Sequence, residues 1–216
     1  MIITQPDRYI LVQQVAARAS VLTGRLLDIG SGRSRRYQRF CTHVSQYQTL
    51  DHDKAGNPDI LGSAENIPLT DSSVDSVLCT QVLEHVPHPA LVIQEIYRIL
   101  TPNGLCLLTA PQTNELHEEP HDYFRYTSYG LISLFKEAGF TILQLDQRGN
   151  YHATIMQIKI RHLVNTWKPY ENKFAMLILS PLTYLLTHYA LFRDQISRNK
   201  AGTLHAIGWC ILAKKI

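Results

Sequence analysis

Arg25-Leu-Leu-Asp-Ile-Gly-Ser-Gly32 is the stretch from which the fold of this chain is read. Leu26, Leu27 and Ile29 form a short apolar run suited to a strand buried on both faces. Gly30 and Gly32 then turn the chain sharply. Glycine adopts positive φ and has no Cβ, so backbone N–H groups at such a turn can lie close against a ligand. Asp28, just before the turn, offers a carboxylate that accepts hydrogen bonds. The next apolar run, Tyr47-Gln-Thr-Leu50, ends in a second acid, Asp51, followed by His52. A nucleotide-binding βαβ unit presents an acid to ribose hydroxyls at a similar remove from its glycine turn. A dinucleotide site also asks for a third glycine three residues on, and that position is Arg35. The pattern therefore suits a nucleoside ligand without a pyrophosphate.

The chain has 216 residues, enough for one domain or one domain with an insertion. Its 45% hydrophobic and 18% charged residues describe a globular chain with ample core material. A formal charge of +3 is too mild to point to nucleic acid, and the basic cluster from Arg33 to Arg39 reads as a solvated face beside the turn. Cys41, Cys79, Cys106 and Cys210 form no Cys-x-x-Cys pair, and three lie in apolar, strand-like runs. This implies free thiols in a reducing compartment, with no disulfide framework and no zinc site. No basic region followed by an apolar core opens the sequence, so no signal peptide is expected and the cytoplasm is the expected location.

The remaining elements read in order. Residues 6–20 have helical spacing, in a helix that either covers the ligand site or simply packs within 1–23. Residues 34–40 read as a short polar helix, 59–62 as a third strand and 76–79 as a fourth. Gln81 to Val86 reads as a short helical turn. Residues 90–100 are amphipathic, with Leu91, Val92, Ile96, Ile99 and Leu100 on the apolar stripe and Gln94, Glu95 and Arg98 facing away. Thr101-Pro-Asn-Gly104 reads as a stop and turn before a fifth strand, 105–110. Thr127 is an expected N-cap for a helix over 128–138, Gly139 closes it, and 140–145 is a sixth strand. A helical segment covers 150–200, and 204–213 is the last strand. Strands alternating with helices in this way imply a parallel sheet covered on both faces.

Asp28-x-Gly30-x-Gly32 followed by Asp51 resembles the class I S-adenosylmethionine-dependent methyltransferases. The resemblance sharpens with Gly62-Ser-Ala-Glu-Asn-Ile-Pro-Leu69, Val74-Asp75, Gln81-Val-Leu-Glu-His-Val86 and Leu100-Thr-Pro-Asn-Gly104, which look like the methyltransferase type 11 family over residues 24–145. It implies an α/β, Rossmann-like sheet of order 3-2-1-4-5-7-6 with the last strand antiparallel. The whole chain, 1–216, would be one methyltransferase domain with the 150–200 helices inserted between strands 6 and 7. It also implies S-adenosyl-L-methionine as cofactor. The methionine part would lie near Asp28, Gly30 and Gly32, the ribose at Asp51, and the adenine at Ala64 and Glu65. Ser31, His52, Ser63 and Gln81 complete the expected cofactor set. Ser63 stands where the family commonly has an acid; its hydroxyl can bond an adenine amino group, but without charge. Arg33 stands where small residues are common and is expected to crowd the site.

Gln81, Glu84 and His85 follow strand 4, at the ligand edge of an open α/β sheet. A second polar cluster follows strand 5: His117-Glu-Glu-Pro-His121-Asp122-Tyr-Phe-Arg125-Tyr-Thr127, resembling a stretch in a bacterial branch of the family. Three readings compete there. His117, His121 and Asp122 suit a metal, although the expected site holds none. His121 tuned by Asp122 suits a general base for a substrate hydroxyl, with His85 beside it. Asp122, Tyr123 and Arg125 also suit a structural clasp for the loop.

The expected activity is methyl transfer to a small-molecule or lipid- or glycan-linked acceptor at oxygen. The rival from another class is a catalytically inactive adenosyl-binding partner protein. Within 150–200, Phe174 to Phe192 approaches the length of a membrane span, but Pro181 and several polar residues interrupt it. The segment reads either as a substrate cap or as a membrane-interface element, with peripheral contact through 170–192.

Overall fold

The structure, a computed structural model, describes residues 2–32, 34–197 and 200–216. Arg33, and with it the expected crowding of the glycine turn, lies outside the described residues. Seven strands form a mixed sheet in the order β3-β2-β1-β4-β5-β7-β6, as the resemblance implied. They are β1 (Thr23–Ile29), β2 (His43–Asp51), β3 (Ile60–Leu61), β4 (Val74–Thr80), β5 (Leu100–Pro111), β6 (Phe140–Arg148) and β7 (Gly208–Lys215). The pairs β1–β2, β1–β4, β2–β3 and β4–β5 are parallel. Among the described residues, five α-helices accompany them: α1 (Pro6–Ala19), α2 (Pro89–Ile99), α3 (Ser128–Glu137), α4 (Tyr151–Trp167) and α5 (Lys173–Ile196).

The chain divides into two compact units. One comprises residues 14–111, 116–146 and 209–216; the other comprises 1–13, 112–115 and 147–208. The helices over 150–200 thus join the first residues of the chain in a unit of their own.

In the sheet unit, Leu27, Ile29, Val77, Cys79 and Leu108 are fully buried, packing with Ile93, Ile96 and Phe135. Strands this apolar on both faces need cover on both faces. Pro89 opens α2 at a position where its missing N–H costs nothing. The buried stripe of α2 is Val92, Ile93, Ile96 and Ile99, while Leu91 is 45% exposed. Glu95 and Arg98 do not face away as their charge suggested. Glu95 Oε2 accepts from the Ile67 N–H at 2.8 Å, and Arg98 donates to Glu95, Asp71 and the carbonyls of Ile67 and Leu69. These bonds fasten the loop after β3 to α2.

Three other expectations change. The register jumps from Val74↔Leu100 to Ser76↔Leu105, so Thr101 to Gly104 bulge at the start of β5, with Asn103 in the left-handed region at φ 68°. The polar segment 34–40 yields only a single 3-10 turn, Gln38–Phe40, with no buried residue; a short helix without an apolar face has little to stabilise it. β4 is longer than its apolar core because its ladder with β5 runs from Val74↔Leu100 to Thr80↔Thr109, and β6 continues to Arg148. Thr127 caps α3 as expected, its hydroxyl accepting from Gly130 N–H at 3.1 Å. All four cysteines are free and buried.

In the second unit, α4 and α5 pack through Ile160, Val164 and Leu179 together with Ile3. Asp194 of α5 accepts from the N–H groups of Asn150, His152 and Ala153, satisfying donors that the start of α4 leaves open. Arg148 is completely buried and donates to Asp7 Oδ1 at 2.6 Å. The first turn of α1 is thus anchored by packing within this unit.

Candidate active site

The site lies wholly within the sheet unit, where the carboxyl ends of β1, β2 and β4 open on a cleft of about 360 Å³. Ligands of open α/β sheets bind beyond those strand ends. β1 contributes Gly30, continuing the ladder one step past the strand as its N–H donates to Leu50 O at 2.8 Å. Gly30 and Gly32 both have left-handed backbone, φ 69° and 59°. A Cβ on Gly30 would stand 2.3 Å from Val82 Cγ2, whereas one on Gly32 would meet nothing within 4 Å. The first glycine is therefore required by packing and conformation, and the second leaves open space beside the turn.

Asp51 ends β2 and is 7% exposed. Its Oδ2 accepts from Gly32 N–H at 2.9 Å and its Oδ1 from Asp53 N–H at 2.9 Å. The acid and the glycine turn are thus one bonded unit, and each carboxylate oxygen keeps acceptor capacity toward the cleft. His52, Ser63, Ala64 and Glu65 line the same cleft. Ser63 Oγ accepts from Glu65 N–H, and the Glu65 carboxylate is held by His88 N–H at 2.8 Å.

Asp28 is placed differently. It is 2% exposed and is not among the residues lining the cleft. The Tyr47 hydroxyl donates to its Oδ2 at 2.6 Å, while Oδ1 is buried without a hydrogen-bond partner. Burial pushes its carboxyl up to about 7, against the opposing hydrogen bond from Tyr47. Ser31 and Gln81 also lie outside the lining. Gln81 has φ 55°, and its side chain donates to Thr109 Oγ1 at 3.1 Å. Arg35, in the place of the absent third glycine, turns to Asp59 at 2.7 Å.

The opposite wall carries the histidines. His85 and His121 line the cleft with Glu118. His85 Nδ1 lies 2.6 Å from the His121 carbonyl, and because a carbonyl only accepts, Nδ1 carries the proton and Nε2 the lone pair. His121 Nδ1 lies 3.2 Å from the Tyr123 hydroxyl. Asp122, expected to tune His121, does not pair with it. Arg125 donates to both Asp122 oxygens, at 2.6 and 2.7 Å, and the His117 N–H donates at 3.0 Å. The bidentate Arg125 bond holds the Asp122 carboxyl well below the usual carboxylate range. Asp122 and Arg125 thus form the structural clasp. The loop is further tied by Tyr123 and Phe124 N–H groups to Glu84 O, and by the Tyr126 hydroxyl to Leu83 O at 2.7 Å.

Sequence reasoning passed over Val82, which fills the space beside Gly30, Glu118, and the Tyr47–Asp28 pair. The last was signalled by the alternation of β2, which places Tyr47 and Thr49 on one face next to β1.

The methyltransferase domain family matches residues 27–108, which hold the glycine turn, the Asp51 acid and the first three loops of the cleft. That match supports reading residues 27–108 as a class I S-adenosylmethionine-dependent methyltransferase domain. The chain is 29% identical over 124 residues to a probable S-adenosylmethionine-dependent methyltransferase of Mycolicibacterium smegmatis, covering 53% of the chain and 48% of the relative. It is 31% identical over 84 residues to a ubiquinone biosynthesis O-methyltransferase of Psychrobacter arcticus, covering 31% of the chain and 33% of the relative. The chain thus spans less than half the length of these curated relatives. A crystal structure of a methyltransferase from Bacillus halodurans shares the fold with a TM-score of 0.60 at 18% identity, covering 94% of this chain and 98% of that one.

Proposed function

We propose that this chain binds S-adenosyl-L-methionine in the Asp51 cleft and transfers its methyl group to an oxygen of a small-molecule, lipid-linked or glycan-linked acceptor. The observation that carries the reading is the bonded unit of Asp51 and the Gly30–Gly32 turn at the rim of the cleft. The residues fit the cofactor's chemistry. An acceptor-rich carboxylate suits ribose hydroxyls, and the open space at Gly32 suits close backbone approach. Ser63 and Ala64 border the part left for the adenine.

When bound, the cofactor supplies an electrophilic methyl group. The protein's own part is to align the acceptor, exclude water and take up a proton. His121 is the proposed proton acceptor. In the tautomer whose Nδ1–H donates to the Tyr123 hydroxyl, Nε2 is the base. The Psychrobacter relative, named as an O-methyltransferase, supports an oxygen acceptor. The test is a labelled-methyl assay against hydroxylated and thiol acceptors. His121→Gln should slow transfer to a hydroxyl by about 10²–10⁴-fold while sparing an ionised thiol. Equal effects on both acceptors would reject the role, and no turnover with any acceptor, despite cofactor binding, would favour the inactive-partner reading.

We also propose a cytoplasmic protein in peripheral contact with an anionic membrane through α5. This helix is 24 residues long, and its buried face is Ala175, Leu179, Thr183, Thr187 and Ala190. Its exposed stripe is Phe174, Ile178, Leu182, Leu185, Tyr189 and Phe192. Large apolar side chains outside and small or hydroxylated ones inside reverse the usual soluble pattern. No Asp, Glu, Lys or Arg interrupts 174–192, where His188 is the one titratable imidazole, while Lys159, Lys168 and Lys173 are exposed nearby. Ser180 and Thr187 bond the Ile2 and Thr4 carbonyls, so one face is held by protein and only the other is offered to lipid. Flotation with phosphatidylserine-containing vesicles at low salt should carry the protein upward. Absence of binding there would remove the membrane role.

A further inference from the structure

We propose that Glu84, His85 and His117 form a binding site for a divalent first-row transition ion of the zinc class at the acceptor end of the cleft. One donor atom from each lies within 4.8 Å of the others. Glu84, on the turn after β4, is fully buried, and its Oε1 lies 3.9 Å from His85 Nε2. The two imidazoles meet edge to face, centroids 4.9 Å apart at 83°. Glu118, which is exposed, brings a carboxylate oxygen to 3.8 Å from the same His85 nitrogen and can supply a fourth ligand. Neither His121 nor Asp122 belongs to this set, since Asp122 is taken by Arg125.

Two features distinguish the cluster from a chance meeting of polar side chains. The first is orientation. His85 Nδ1–H is spent on the His121 carbonyl, which fixes the tautomer with the Nε2 lone pair toward Glu84 and Glu118. His117 Nδ1 lies 3.5 Å from both Asp122 Oδ2 and the donating Arg125 Nη2, and Asp122 is itself held by Arg125 and by the His117 N–H, so the ring is placed by this clasp. Metal-bound histidines commonly have their second nitrogen held in this way by a carbonyl or a carboxylate. The second is rigidity. Tyr123 and Phe124 N–H groups bond the Glu84 carbonyl, so the two loops that carry the ligands are joined by backbone. Two imidazoles and a carboxylate suit zinc or its neighbours better than magnesium or calcium, which prefer oxygen alone. Bonds of about 2.0–2.2 Å require the donor atoms to close in from their present spacing. The exposed Glu118 side chain has the room to make that movement.

The site deepens the proposed function, and its assigned role rests on that reading although ion binding does not. His85, Glu118 and His121 line the cleft opposite Asp51, so an ion there would bind the acceptor oxygen and ease loss of its proton to His121. The test is calorimetry of chelator-stripped full chain with zinc chloride alone, magnesium chloride as comparison, and cobalt absorption as a second readout. S-adenosylhomocysteine binding is measured on the same samples. We expect one zinc per chain, with magnesium far weaker, and at least about a 100-fold loss of zinc affinity in His85→Ala and in His117→Gln. His117→Gln, on a partly exposed loop position, should keep S-adenosylhomocysteine binding, whereas Asp51→Ala should weaken it and keep zinc. Absence of one-to-one zinc binding, or its persistence in both histidine variants, overturns the site. Loss of S-adenosylhomocysteine binding in the unaltered chain overturns the cofactor reading instead.

Discussion

Asp28 should make the protein less stable as pH rises through the neutral range, and Asp28→Asn should abolish that trend. The side chain is 2% exposed, and burial raises its carboxyl from 3.8 to about 7. The folded state therefore holds a proton that the unfolded chain releases near pH 4. Between those values the native state binds more protons than the unfolded one, so stability falls as pH rises. The stabilisation is fully present below about pH 4 and is lost by about pH 7. Each pH step of one costs about 1.4 kcal/mol inside this window, and because the folded carboxyl is half ionised at pH 7 the loss from pH 5 to pH 7 is about 2.3 kcal/mol. For a chain of this length that corresponds to roughly 5–10 °C in Tm. Asparagine keeps the shape and still accepts from the Tyr47 hydroxyl, but it does not ionise. Thermal melts of both proteins at pH 5, 6, 7 and 8 cancel every other titrating group in the difference. The variant should gain on the parent by several degrees between pH 5 and pH 7 and then level off. Parallel curves, or a parent that gains on the variant, would refute the burial argument.

Gly30→Ala should abolish cofactor binding and lower stability, because the new Cβ stands 2.3 Å from Val82 Cγ2 in left-handed backbone; adding Val82→Ala should recover stability only in part, as urea titration will show. Asp7→Ala removes a charged hydrogen bond to the fully buried Arg148 and should cost about 1.5–3 kcal/mol in denaturant unfolding of the unit that holds them. Asp122→Ala removes the bidentate partner of Arg125 and should raise hydrogen exchange across 117–126 while leaving β1 and β2 protected.

The sheet was legible because its signals are local. The apolar runs of β1, β2 and β4, the glycines at 30 and 32, and the Thr127 cap each state their conformation within a few residues. The strand order came from resemblance, since periodicity alone does not say that β7 lies between β5 and β6. What escaped the sequence is set by register and tertiary partners. Nothing near Asp28 in the chain says that Tyr47 will reach it, and charge alone made Glu95 and Arg98 look solvated when they hold the loop after β3. At the site, the residues of the cleft's Asp51 side were readable from spacing. The pairing of Asp122 with Arg125 and His117 rather than His121 was not, because one turn of loop decides which neighbour the carboxylate faces.

The central claim is that Asp51 and the glycine turn hold an adenosyl ligand. Titration calorimetry of the full chain with S-adenosylhomocysteine tests it most directly. One-to-one binding is expected, weakened by roughly tenfold to several hundredfold in Asp51→Ala through the loss of charged hydrogen bonds to ribose hydroxyls. No heat of binding in the unaltered protein, or equal affinity in the alanine variant, would contradict the account.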